Sequence, residues 1–283
     1  MSNQFVVDSN FDKNITNSYF LSIQLTLDGF SFCVLDPISN EYILFSEHPF
    51  SINDSLINTI EKELKENEYL QFPYQKVFVL YYTKQNTLIP TSLYQKDQKE
   101  LYLDFCFNQN KFEEELTFSN KIKMADSYCV FNIPKTIVEL FNDKFSNVYY
   151  YCSTTPFIET ALLNTSFNYD QFQIYINLQN SIFDIIAIAG NDLKLHNSFK
   201  FQDKKEFLYY TLLIFEQLKL NTNTSTVFLS GMISKTDEIY ALLKKYIKNI
   251  EIVKESKHFK FASVFKTISL QEHINLINIP LCV

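Results

Sequence analysis

The chain has 283 residues, a formal net charge of −7, and 46% hydrophobic against 20% charged residues, a balance that excludes intrinsic disorder. All 25 basic residues are Lys, and none forms a cluster beyond the solvated helix face of Lys244, Lys245 and Lys248. That excludes nucleic-acid binding through an electrostatic footprint, and the bidentate Arg readers of phosphate and guanine are missing altogether.

Residues 1–18 read as a polar, loosely held arm without the charged-then-apolar plan of a signal peptide. Strands follow at 20–27, 30–36 and 41–47, then a helix at about 53–66 with Leu56, Ile57, Ile60 and Leu64 on one face. Lys76–Tyr82 is an apolar run expected of a strand buried on both faces. After Pro90, Asp97 and Glu100 have capping-box spacing for a helix carrying Leu101 and Phe105 on one face, although strand alternation fits the same residues. Strands at 115–123 and 128–133 precede a helix opened by Pro134, a short strand at 148–152 and a helix from Thr155 to about Leu163. Strands at 172–178, 181–189 and 192–200 come next, then a helix at 203–219 with Asp203 and Glu206 as its capping pair and Phe207, Thr211, Ile214, Phe215 and Leu218 as its buried stripe. Val227–Ser230 reads as a buried strand. Ser234 and Asp237 cap a helix with Ile239, Leu242, Leu243 and Tyr246 inward, Ile250–Val253 is a strand, and the apolar tail packs back. The alternation argues an α/β protein with mixed sheets.

Two of these segments share one plan. Leu21–Phe45 and Phe172–His196 superpose without a gap, so that Ile23 meets Ile174, Leu25 meets Ile176, Leu27 meets Leu178 and Phe32 meets Phe183. Each is strand, turn, strand, turn, strand, and each leads into an amphipathic helix. Such a duplication divides the chain into an arm (1–18), a first half (19–166) and a second half with its tail (167–283), and predicts a cleft between the halves.

Paired meanders, each followed by a helix, a buried strand and a helix, look like the duplicated ribonuclease H-like fold of actin, sugar kinases and heat-shock ATPases. More narrowly, the chain resembles a Bacteroidota family of unknown function with an actin-like ATPase fold. The carrying features are the meanders, TLIPTSLY (Thr87–Tyr94), VFLSG (Val227–Gly231) and the closing LINIPLCV. The resemblance implies two ribonuclease H-like subdomains and, in ATP-binding relatives, an acidic residue beside glycines at each first hairpin and a third glycine-rich turn against the adenosine. Here Asp28–Gly29 matches at the first hairpin, although it reads first as a favoured hairpin turn and only second as a phosphate loop. At the second hairpin the acidic position falls at Asn177 and the glycines among Gln179, Asn180 and Ser181; the third turn keeps Gly231 but follows it with Met232. The implied cofactor site is thus Asp28, Gly29, Asn177, Gln179 and Gly231 in degenerate form, so that ATP and magnesium chemistry is not expected.

Asp184 reads either as a relic acid of the cleft or as a strand-exposed carboxylate, and His48, His196, His258 and His273 as surface or edge residues without ligand spacing. The five cysteines lack zinc spacing and read as reduced thiols of a cytoplasmic protein; no apolar run reaches the roughly 20 residues of a membrane span. The Tyr149–Tyr151 run reads as core first and partner surface second. The sum is an expected non-catalytic interaction or scaffold protein with a protein partner, the rivals being a weak nucleotide-binding enzyme and a structural homodimer paired through an edge strand or the aromatic-rich surface.

Overall fold

Alternating and β-branched residues build the first sheet. β1 (Gln4–Val7), β2 (Phe20–Leu25), β3 (Gly29–Asp36) and β4 (Glu41–Pro49) are followed by α1 (Leu56–Glu66), β5 (Lys76–Tyr81) and β6 (Asn86–Pro90). Then come α2 (Lys99–Cys106), β7 (Glu115–Ile122), β8 (Ser127–Pro134), α3 (Lys135–Lys144), β9 (Val148–Cys152) and α4 (Thr154–Asn164). The remaining elements are β10 (Phe172–Leu178), β11 (Ile182–Ala189), β12 (Asp192–Lys200), α5 (Lys204–Gln217), β13 (Thr226–Gly231), α6 (Glu238–Leu243), β14 (Asn249–Ile252), β15 (Lys260–Phe261) and α7 (Ile274–Asn278). The structure is a computed structural model that describes residues 4–26, 29–49, 55–107, 114–165, 172–253 and 255–283.

The chain divides into two compact units. One comprises Met1–Pro156, Lys257–Ile268 and Asn275–Val283, the other Phe157–Ser256 and Ser269–Ile274. In the first, a sheet runs β1-β4-β3-β2-β5-β9, with β15 also paired to β4. In the second, a five-stranded sheet runs β12-β11-β10-β13-β14. Within each unit the antiparallel meander therefore continues into two parallel strands in the same order, β4-β3-β2-β5-β9 against β12-β11-β10-β13-β14. The first strand of each meander sits at the centre and is buried on both faces: Leu21–Leu25 in one, Ile174–Leu178 in the other.

The first unit also holds a three-stranded sheet, β6-β8-β7, flanked by α2 and α3. The Asn120 amide ties it to the large sheet. Asn120 on β7 donates from Nδ2 to the Tyr150 carbonyl (2.9 Å) and accepts at Oδ1 from the Cys152 N–H (3.0 Å) and the Thr155 hydroxyl (3.1 Å). Its side chain thus pairs with the edge of β9 as a further strand would.

The tail divides. Tyr42 of β4 is fully buried against Phe259, Phe261 and Phe265, and its hydroxyl donates to the Ile277 carbonyl. Residues 257–268 and 275–283 accordingly cluster with the first unit although they follow the second in sequence.

Several local expectations are corrected. The arm is not loose: β1 pairs antiparallel with β4 from Gln4↔Glu47 to Val7↔Leu44, and Phe11 packs on Tyr19, Tyr69 and Phe72. QFVV is a strand-forming run, and the edge of β4 needs a partner. The Asp97–Glu100 capping box does not form; Lys96–Gln98 make a 3₁₀ turn and α2 starts at Lys99 without a side-chain cap. α2 turns Leu103 inward and leaves Leu101 and Phe105 facing solvent. α6 is shorter than its pattern: Asp237 is its N-cap residue and accepts from the Ser234 N–H, and Tyr246 lies beyond its end, exposed. By contrast α5 follows its capping pair, with Asp203 accepting from the Lys205 and Glu206 N–H groups and Glu206 from that of Gln202.

Candidate functional site

Both first turns close in the same way. In the first hairpin Leu25 pairs with Phe30, and the Thr26 N–H donates to the Gly29 carbonyl at 3.1 Å. In the second, Leu178 pairs with Phe183, and the Gln179 N–H donates to the Ile182 carbonyl at 2.8 Å. The next pair of strands bulges between Val34 and Leu35 in one meander and between Ala187 and Ile188 in the other. Leu25 is therefore equivalent to Leu178, not to Ile176, and the gapless superposition is out of register by two residues. A two-residue slip keeps every side chain on its own face of the strand, so hydrophobic patterning does not register it. The corrected counterparts of Asp28 and Gly29 are Ser181 and Ile182. Asp28 itself lies outside the described residues.

In the second unit the structure brings Asn177, Gln179 and Gly231 together. Asn177 pairs in register with Asp184 on one side and Ser230 on the other. Its Nδ2 donates to Ser230 Oγ (2.9 Å), and its Oδ1 accepts from Gln179 Nε2 (3.2 Å). Asn177 is 1% exposed, so its amide is committed to its neighbours. Asp184, read from sequence as a cleft relic or a strand-exposed carboxylate, is buried: it accepts from the Ser198 hydroxyl and lies 3.9 Å from His196 Nε2. Ser230, Asn177, Asp184 and Ser198 thus form a polar row across four strands.

Gly231 has two backbone reasons to be glycine. Its φ is +83°, and a Cβ there would fall 2.1 Å from the Leu178 carbonyl oxygen. The close approach lets the Met232 N–H donate to that same oxygen at 2.8 Å. Gly29, in the first unit, meets less resistance: a Cβ would come within 3.2 Å of the His48 carbonyl oxygen.

A hollow of about 450 Å³ opens beside the second turn, with Leu178, Met232 and Ile239 contributing apolar surface. Asp203, Asp237 and Glu238 line it with Lys204. The two amides at the start of α5 already donate to Asp203, and these hydrogen bonds hold its carboxyl below the usual range. Lys204 donates to Glu238 and lowers that carboxyl likewise. Three carboxylates to one ammonium make this a poor place for a phosphate.

Sequence reading missed one catalytic-looking arrangement and misjudged one histidine. Ser46 Oγ lies 2.7 Å from His48 Nε2, and His48 Nδ1 lies 3.3 Å from Glu63 Oε1. The order is that of a serine-histidine-acid triad, but Ser46 is 1% exposed and its hydroxyl is out of reach of a substrate carbonyl. The i, i+2 spacing on β4 is the only sequence signal for it, and the chain folds Glu63 onto it from α1. His273 is buried, not at the surface, and burial lowers its pKa to about 4. Among the described residues no His, Cys, Asp or Glu cluster is suited to hold a metal ion, and no helix is long and apolar enough to cross a membrane.

A family model described as "Protein of unknown function (DUF3822)" matches residues 8–250. Among solved structures, a Bacteroides thetaiotaomicron protein with an actin-like ATPase fold and unknown function is 27% identical, with a TM-score of 0.78 over 86% of this chain and 93% of that one. The PilM–PilN type IV pilus biogenesis complex matches at 10% identity and a TM-score of 0.63, over 93% of this chain and 96% of that one. No curated protein sequence matches the chain. The fold expected from the paired meanders, α/β with two ribonuclease H-like subdomains, is the one these structures share.

Proposed function

This chain belongs to the DUF3822 family of actin-like ATPase-fold proteins, and we propose that it is a pseudo-ATPase, an interaction or scaffold module that does not hydrolyse ATP. The observation that carries the proposal is the second turn. Where an ATP-binding relative is expected to have an acid and bare glycines, this chain has Ser181 and the β-branched, buried Ile182. Beside that turn Asn177 donates to Ser230 and accepts from Gln179.

ATP with magnesium fits these residues poorly. A phosphate approaching the second turn meets side chains instead of open amides, and the adjoining hollow is lined by carboxylates. Of the five positions in the degenerate site, Gly231 is accounted for by the Leu178 backbone and Asn177 and Gln179 by their mutual hydrogen bond. A protein partner is the reading that remains, and PilM, with which the chain shares only a fold, is itself solved in complex with PilN. Pairing of two copies through β12 is disfavoured, because that edge strand bulges between Leu193 and Leu195 and carries Lys194 there. The five free cysteines support a cytoplasmic setting as part of this proposal.

Purified protein with millimolar magnesium-ATP is expected to release no phosphate above the buffer rate. Turnover that Asp28→Ala abolishes would overturn the proposal in favour of the rival, a nucleotide enzyme with a divergent site.

A further inference from the structure

We infer that the hollow beside the second turn is a docking site for a basic-apolar peptide segment, one that presents a Lys or Arg next to a large aliphatic side chain. The inference rests on the interaction-module reading and names the chemistry of its partner. Two features of the hollow select the occupant. Its volume of about 450 Å³ has room for a short peptide segment with more than one side chain, and its apolar surface from Leu178, Met232 and Ile239 suits an aliphatic side chain, which would bury the half-exposed Met232 and Ile239. Its rim carries Asp203, Asp237 and Glu238 against Lys204 alone, a surplus of two negative charges at neutral pH. An anionic ligand is repelled there, and a neutral apolar one leaves the rim without a partner.

The charges are also placed to be used. Asp203 and Asp237 are fixed by backbone donors, from Lys205 and Glu206 in one case and Ser234 in the other, so their position needs no ordering when a ligand arrives. Glu238 is the adjustable member. Its side chain is 81% exposed and held only by Lys204, so a peptide cation exchanges for one surface partner and no buried group is uncovered.

The test uses the whole chain and a fluorescein-labelled nonapeptide with a central Leu flanked on each side by two Lys, followed by fluorescence anisotropy. Saturable binding is expected, weakened about tenfold by Glu238→Lys, strengthened by Lys204→Glu, and weakened when salt rises from about 50 to 500 mM. Met232→Gln is expected to weaken it with little change in salt dependence. Glu238 is exposed, so its variant keeps the fold, which circular dichroism verifies. The inference is overturned if the peptide fails to bind at about 1 mM, if Glu238→Lys and Met232→Gln leave binding unchanged, or if a Glu-for-Lys peptide binds equally well. Displacement by spermidine at the concentration at which the peptide itself competes also overturns it, since that marks a site for free cations. Magnesium-ATP turnover, measured on the same preparations, bears on the pseudo-ATPase reading instead, so the two failures are separable.

Discussion

Gly231→Ala is expected to damage the fold rather than only a binding surface, and the size of the damage follows from the backbone. At φ +83° an alanine carries a left-handed penalty of about 1–2 kcal/mol. Its Cβ would then sit 2.1 Å from Leu178 O and 2.9 Å from both the carbonyl carbon and the nitrogen of Leu178, all of them backbone atoms with no rotamer to yield. Relief requires β13 to draw away from β10 at the end of their parallel ladder. That breaks the hydrogen bond from Met232 N to Leu178 O, worth about 1 kcal/mol and more if either group stays buried. The sum is about 2–3 kcal/mol, and more where a lost partner stays buried. At roughly 4 °C per kcal/mol for a unit the size of the second, its unfolding transition should fall by about 10 °C. Thermal and urea melts followed by circular dichroism measure it. A variant melting within about 2 °C of the parent would refute the reasoning and return Gly231 to the role of a glycine kept for a ligand.

Asn120→Ala should cost about 2–4 kcal/mol, because the Tyr150 carbonyl and the Cys152 N–H both lose a buried partner; urea midpoints with an unchanged m-value would show it. Acid should weaken the protein through His273. Its folded pKa of about 4 lies below the ordinary 6.5, so the unfolded chain binds the extra proton between those values; stability is complete above pH 6.5 and is lost, by up to about 3 kcal/mol, as pH falls toward 4. His273→Gln should flatten the stability profile in that window, and an unchanged slope would count against the assignment. Asp203→Ala should destabilise α5 and remove the cap's contribution, which is present above pH 3.8 and fades as pH falls through its lower folded value; pH-dependent melts of the two proteins would agree in strong acid and diverge above it. Among the thiols, Cys106 alone is exposed, so a thiol reagent should modify one cysteine quickly in the folded protein and the other four only on denaturation.

Most of the fold could be read from periodicity, because central strands such as Ile174–Leu178 and amphipathic helices such as α5 state their burial in their own residues. The errors occurred where a partner distant in sequence decides the outcome. β1 exists because β4 has an open edge, and α2 buries Leu103 against the small sheet while Leu101 and Phe105 face outward. The division of the tail depends on an aromatic pocket around Tyr42, more than two hundred residues earlier. The candidate site was partly legible: Asn177, Gln179 and Gly231 are indeed neighbours. Its register was not, since Leu25 and Leu178 align only through turn hydrogen bonds and matching bulges that leave no mark on hydrophobicity.

The corrected register strengthens the case against phosphate chemistry and changes its ground. With Asp28–Gly29 set against Ser181–Ile182, the second turn lacks both the carboxylate and the conformational freedom, and not merely one charge. The polar groups around it are also already used. Asn177 holds Ser230 and Gln179, Asp184 holds Ser198, Asp203 holds two amides of α5, and Asp237 holds the Ser234 amide. A phosphate entering here would have to displace carboxylates from the donors it needs, at the cost of buried or capping hydrogen bonds each worth about 1 kcal/mol or more. A cationic side chain displaces none of them, because it brings donors to acceptors that retain free lone pairs. The hydrogen-bond inventory therefore favours a basic partner over a nucleotide at the same place, and Glu238→Lys, which reverses one rim charge and gives up only the exposed bond from Lys204, is the substitution on which the two readings differ in sign.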